Sequence, residues 1–262
     1  MANVTLNAVM TAGNNGDTHA GDDVSTSITA AAAITVAAGS NRAAYVLIGS
    51  DSALVACACT WNGTSMVSLG SADTAPGTPH AYSQIFALAN DAQVSADTTP
   101  DIVVSWSSGT TDIYIGAIVL NNVQQSANGV DPAHTVLDNT GDLTIDVTGT
   151  SDGATMVTQI RNGSDPTTLP ISGGDYVWNF DGFGPGGAGA YRLNLTGTNA
   201  YDFNSGTTGT VRASVGIHVL SDGVAGGDVA TDAVGASATA QVGALVIDVR
   251  PAPPYTLTRV TG

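Results

Sequence analysis

Residues 210–221 read TVRASVGIHVLS. Val211, Ala213, Val215, Ile217 and Val219 fall on alternate positions, with Arg212, Ser214 and His218 between them. A period of two marks a strand with one face on a core and the other toward water. The segment is expected to be a half-buried strand, its polar residues on the solvent side. Outward from it, similar runs recur: AAYVLIGS (43–50), ALVACACTW (53–61), HAYSQIFALAN (80–90), DIVVSWS (101–107), DIYIGAIVLNNV (112–123), DLTIDVTGT (142–150), ATMVTQI (154–160), YVWNF (176–180) and AYRLNLTG (190–197). Between them stand Gly, Asn, Asp, Ser and Pro, the residues of turns. Asn62-Gly63 is the strongest hairpin signal. The Ser-Gly-Thr-Thr at 108–111 predicts a hairpin between 101–107 and 112–123. Asp51-Ser52 predicts that 43–50 pairs with 53–61.

The charges point the same way. The chain has 262 residues and a net charge of -16, from 22 acidic and 6 basic side chains. Every acid is Asp and every base is Arg, so Glu and Lys, two good helix formers, are missing. With 43% hydrophobic residues the chain can build a core. There is no amphipathic run of useful helical length, which disfavours the crossover helices of a parallel sheet. The reading is an all-β fold, an antiparallel β-sandwich. No basic patch exists to neutralise phosphates, so nucleic acid is not an expected partner. No stretch reaches the length of a spanning helix, and the start, MANVTLNAVM, lacks the basic and apolar regions of a signal peptide.

An internal echo links SGTTDIYIGAIVL (108–120) to SGTTGTVRASVGIHVL (205–220). It is read as two halves of one sandwich, each with a similar terminal hairpin; two tandem small domains are the alternative. The expected organisation is an N-terminal arm and first strand over 1–30, the sandwich over 31–221, and a C-terminal arm over 222–262. That arm carries one further strand (241–249) and a Pro-rich tail, since Pro251, Pro253 and Pro254 cannot supply ladder donors.

Residues 40–220 resemble a jelly-roll-like β-sandwich domain of tailed-phage structural proteins. The resemblance rests on SNRAAYVLIG, ACTWNGTSMVSLGS, HAYSQIFAL, DIVVSWSSG, IYIGAIVLNNV, TGDLTIDVTG and the closing VRASVGIHVL, with Gly129-Val130-Asp131 standing for a Gly-Val-Asp phrase. It implies a jelly-roll-like architecture with loop-rich terminal arms. It also implies a virion protein without enzymatic activity: head decoration, cement, or a fibre or spike component. The partners would be other copies of the chain, for instance in a trimer, and phage capsid or tail proteins. The location would be the surface of the particle; a secreted or cell-surface protein is the alternative.

Candidate sites are few. Tyr176, Trp178, Phe180, Phe183 and Tyr191 cluster around a glycine-rich segment. Exposed, they form a stacking platform for cell-surface glycans or an interface anchor; buried, they plug the end of the sandwich. Asp17, Asp22 and Asp23, with Asn14 and Asn15, make an oxygen-rich loop that is either a Ca²⁺ site or a solvated turn. No other cofactor is expected. Asp142 and Asp146 flank one strand, and with a distant partner they would suit a polysaccharide-degrading enzyme. His19, His80, His134 and His218 match no metal or triad spacing, and no GxSxG is present. Cys57 and Cys59, two apart, share one face of a strand and are expected to be free buried thiols. Trp61 and Trp106 are expected in the core.

Overall fold

Valine, isoleucine, alanine and threonine dominate the runs quoted above, and β-branched side chains fit a pleated, packed surface. The computed structural model describes residues 2–10, 17–19, 27–30, 34–74, 80–97, 99–107, 113–125, 129–130, 134–138, 143–162, 174–180, 186–203 and 211–223. Among them are seventeen strands and no helix, in four antiparallel sheets. All lie in the unit Met1–Gly223. The arm expected over 222–262 is therefore outside the described residues, save Asp222 and Gly223.

The first half of the chain builds two sheets. Sheet I has the order β3 (Ser27–Thr29), β9 (Ile102–Ser105), β5 (Ala58–Trp61), β6 (Thr64–Ser65). Sheet II has the order β1 (Thr5–Val9), β10 (Ile113–Asn121), β4 (Ala43–Ser50), β8 (Tyr82–Ala89), β7 (Val67–Asp73), with β2 (Asp17–His19) also on β10. The described parts of 1–30 are thus strands of these sheets. The second half repeats the plan. Sheet III runs β11 (His134–Asp138), β17 (Val211–Val219), β13 (Ala154–Asn162), β15 (Gly186–Leu193), β14 (Asp175–Phe180). Sheet IV pairs β12 (Leu143–Gly149) with β16 (Gly197–Phe203). In sheets II and III alike, the first strand of the half lies beside the last, and the last beside a strand that enters from the outer sheet's side of the sequence.

The sheets stack in the order I, II, III, IV. Tyr45, Leu47, Tyr114 and Ile118 of sheet II meet Met156, Ile160, Val215 and Ile217 of sheet III in one core. The opposite face of sheet II, with Val46, Ile48, Ile115 and Val119, packs on Trp61 and Val104 of sheet I. The opposite face of sheet III, with Val157, Ala188 and Ala190, packs on Ile145, Val147 and Tyr201 of sheet IV. The two central sheets are buried on both sides, which is why AAYVLIGS and IYIGAIVL read as unbroken apolar runs.

This stack corrects three expectations. The strand at 210–221 is covered on both faces: Arg212, Ser214 and His218 are buried like Val215, and β12 of sheet IV packs on the same strand. The segments flanking 108–111 do not form a hairpin. β9 pairs with β3 and β5 in sheet I, while β10 pairs with β1, β2 and β4 in sheet II. Likewise β4 pairs with β8 and β10, not with β5. Long apolar strands that must bury both faces pass between layers instead of folding back in one. The echoed segments hold corresponding central strands, β10 and β17, but each half supplies its own pair of sheets.

The hairpin at Asn62-Gly63 is present. Both residues take positive φ, 47° and 73°, and link Trp61 to Thr64 in register. Two positive φ values in a two-residue loop match the right-handed twist of the strands, and Gly pays no Cβ penalty there. Three strand pairs carry a register shift, in β1, β7 and β14, each at an edge of a central sheet. Bulges at edges twist the exposed ladder away from pairing with another chain.

Candidate functional site

β14 is the edge strand that carries most of the aromatic candidates. Its shift lies between Tyr176 and Trp178, so Val177 and Trp178 both face the core while Tyr176 faces outward. The Trp178 indole stacks on Tyr114 of sheet II, with 5.7 Å between ring centroids and 10° between planes. Four glycines make room for it. A Cβ at Gly116 or Gly189 would lie 2.6 Å from its Cδ1, and one at Gly49 or Gly187 would lie 2.9 or 2.8 Å from its Cη2. A ring that buries about 200 Å² contributes about 5 kcal/mol of transfer free energy. Trp178 is therefore the key between sheets II and III. Tyr191 is also buried in that core.

Of the three whose side chains are described, Tyr176 alone is on the surface, 40% exposed. Phe180 ends β14 and only its backbone is described; Phe183 lies outside the described residues. Beside Tyr176 opens a groove of about 430 Å³ lined by Gly174, Asp175, Tyr191, Arg192, Leu193 and Leu195. The Arg192 guanidinium sits over the Tyr201 ring, 4.5 Å from its centroid. Tyr201 is held from behind, its hydroxyl donating to the Thr155 carbonyl at 3.1 Å. Burial pushes the Tyr201 phenol up to about 12, against the pull of Thr155 and Arg192. Burial, and then the Asp175 charge, raise the Tyr191 phenol. Both tyrosines stay protonated at neutral pH. The groove thus offers a carboxylate, a fixed cation and an apolar rim, which suits a ligand with several hydroxyl groups.

The remaining candidates are dispersed. Asp17 lies in β2, in register with Ile115, and only its backbone is described; Asp22 and Asp23 lie outside the described residues. No group of three or more metal-binding side chains occurs among the described residues. Asp146 is exposed on the outer face of sheet IV, and Asp142 is not among the described residues. His80 pairs with Asp73 beside the β7–β8 connection. His218 is buried and its Nε2 accepts from the Thr150 backbone N–H at 3.1 Å, closing the turn between β12 and β13. Cys59 is in β5, but Ala56 takes a φ of 53° and the strand starts at Ala58, so Cys57 lies before it. Both thiols are free. Trp61 and Trp106 are buried.

Sequence reasoning missed Arg192, Asp175 and Leu195 as groove residues. Only their nearness to Tyr176 and Tyr191 in the chain could have drawn them in. Comparison with protein-family models, with curated proteins and with solved structures found no match to this chain.

Proposed function

We propose that this chain is a structural protein of a bacteriophage virion, a capsid-decoration or cement protein or a fibre or spike subunit, that acts by packing and without catalysis. The observation that carries the reading is the strand order. Counting β6 and β7 as one strand and leaving β2 aside, the first half has eight strands. Their order is first–last–third–sixth–fifth in sheet II, where β7 forms the edge, and second–seventh–fourth–fifth in sheet I, where β6 does. This order supports the reading of the half as a jelly roll, an architecture shared by viral capsid proteins and lectins. Among the described residues, the second half follows the same order with fewer outer strands. On this reading the chain is a tandem pair of jelly rolls joined back to back through Trp178.

Such a block is stiff, and its bulged edges turn strand addition away. Its assembly would use side-chain faces, in a closed oligomer such as a trimer and on a capsid or tail surface. The net charge of -16 favours solubility before assembly. The test is light scattering of the purified protein with co-sedimentation on particles stripped of it. The account expects a defined oligomer that rebinds the particle. A strict monomer that stays in the supernatant would contradict it.

A second reading is a glycan-binding module, secreted or on a cell surface, favoured by exposed Tyr176 beside the Asp175–Arg192 groove. Titration with oligosaccharides would show saturable binding that Tyr176→Ala abolishes.

A further inference from the structure

Where the chain leaves sheet I for sheet II, three sulfur-bearing side chains pack on one core. Cys59 is the second residue of β5, and Met66 is the residue between β6 and β7. The Met66 N–H donates to the Cys59 carbonyl at 2.9 Å, which carries the β5–β6 register one step further. The two side chains therefore leave the hairpin on the same face, and Cys59 Sγ lies 3.4 Å from Met66 Sδ. Both residues are buried between sheets I and II.

Cys57 belongs to the same group. It precedes β5, where Ala56 at a φ of 53° turns the chain out of the ladder. Ala58 is exposed between the two cysteines, so Cys57 and Cys59 turn to the same side. Cys57 packs half-buried against the core that holds Cys59 and Met66. Its charge is felt at Cys59, whose thiol is raised first by burial and then by Cys57. Among the described residues no imidazole or carboxylate completes a set of three with the cysteines. The donor set is sulfur alone: two thiols and a thioether.

That set selects a kind of metal. Calcium and magnesium take oxygen ligands, and structural zinc takes four ligands from thiolate, imidazole and carboxylate. Thiolate with thioether is soft and favours Cu(I). Metal–sulfur bonds of about 2.3 Å can meet across the 3.4 Å between Sγ and Sδ.

We propose that Cys57, Cys59 and Met66 form a three-sulfur site for a soft monovalent cation, Cu(I). Binding forms one copper–sulfur bond at each residue. The S–H bonds of both cysteines break and their protons pass to solvent, while Met66 donates a lone pair. Copper arrives and stays as Cu(I), so no electron moves. Half-buried Cys57 is the point of entry. The bound ion would fasten the start of β5 to the place where the chain crosses to sheet II.

The full-length protein, reduced and kept free of oxygen, would be titrated with Cu(I) against a colorimetric Cu(I) chelator. The copper-loaded protein would then be probed by X-ray absorption at the copper edge. The proposal expects one Cu(I) per chain withheld from the chelator, with three sulfur neighbours. Cys57→Ser and Cys59→Ala should each lose it. Met66→Leu, which keeps the volume, should lower the sulfur count to two or release the ion. If Cys59→Ala does not fold, Cys57→Ser and Met66→Leu decide. Surrender of all the copper to the chelator would overturn the proposal. So would copper bound through nitrogen or oxygen, binding unchanged in Cys57→Ser, or a sulfur count unaffected by Met66→Leu.

Discussion

The indole of Trp178 lies flat on the ring of Tyr114, 5.7 Å away, and this stack joins the two central sheets. A bulge at the edge of sheet III turns Val177 and Trp178 into the same core. Replacing Trp178 by Ala should cost about 3–5 kcal/mol of stability, because the space is walled by backbone that cannot collapse. Chemical denaturation measures it. A midpoint equal to that of the wild type would contradict the interlocking role.

Glycine at 189 is there for room, whereas glycine at 63 is there for conformation. Gly189→Ala would push a methyl to 2.5 Å from Trp178 Nε1, and an overpacked core loses about 1–3 kcal/mol. Gly63→Ala meets nothing within 4 Å but must hold a φ of 73°, at about 1 kcal/mol. Thermal melts of the two variants should rank Gly189→Ala below Gly63→Ala; the reverse order would refute the packing argument.

Acid should lower the stability of the protein in part through Asp91 and Asp152. Hydrogen bonds from Arg42, with Nε to Oδ1 at 2.7 Å, hold the Asp91 carboxyl below the usual range. Burial works to raise Asp152, but bonds from Ser221 and Thr150 and the nearby His218 outweigh it and hold it low too. A folded pKa below the unfolded one gives stability that is complete above the unfolded value, near 4, and is lost as pH falls through the folded value. The Tm of Asp91→Asn should therefore fall less between pH 5 and pH 2 than that of the wild type. Parallel pH profiles would exclude this contribution.

Both thiols should be inert in the native state. Burial pushes the Cys57 thiol up to about 12 and raises Cys59 further. At pH 8 only about 1 in 10⁴ of a thiol with that pKa is thiolate, the reactive form. A colorimetric thiol reagent should react slowly with the folded protein and with both cysteines in guanidinium. Fast native labelling would show that this corner of sheet I opens.

Periodicity made the strands legible, and the apolar side of 210–221 is the side that meets sheet II. It could not say what covers the other side. Arg212, Ser214 and His218 look like a solvated face because polar residues usually are one; here they are buried, and a further sheet packs on their strand. The same gap left Trp178 open between platform and plug, since nothing near it in the chain announces Gly49 or Gly116, more than sixty residues away. Turn residues at 108–111 announced a change of direction but not a change of sheet. The echo between 108–120 and 205–220 carried more than its letters suggested, for it marks corresponding strands of two repeats. The groove residues Asp175 and Arg192 were hidden because a lone Asp and a lone Arg have no spacing to read.

The most direct measurement is electron microscopy of the particle that carries this chain. The account expects density for a four-layered β block at symmetric positions on its surface, in contact with neighbouring copies or with the capsid or tail. A particle complete without the chain, with the protein recovered only as a free monomer, would contradict the structural role.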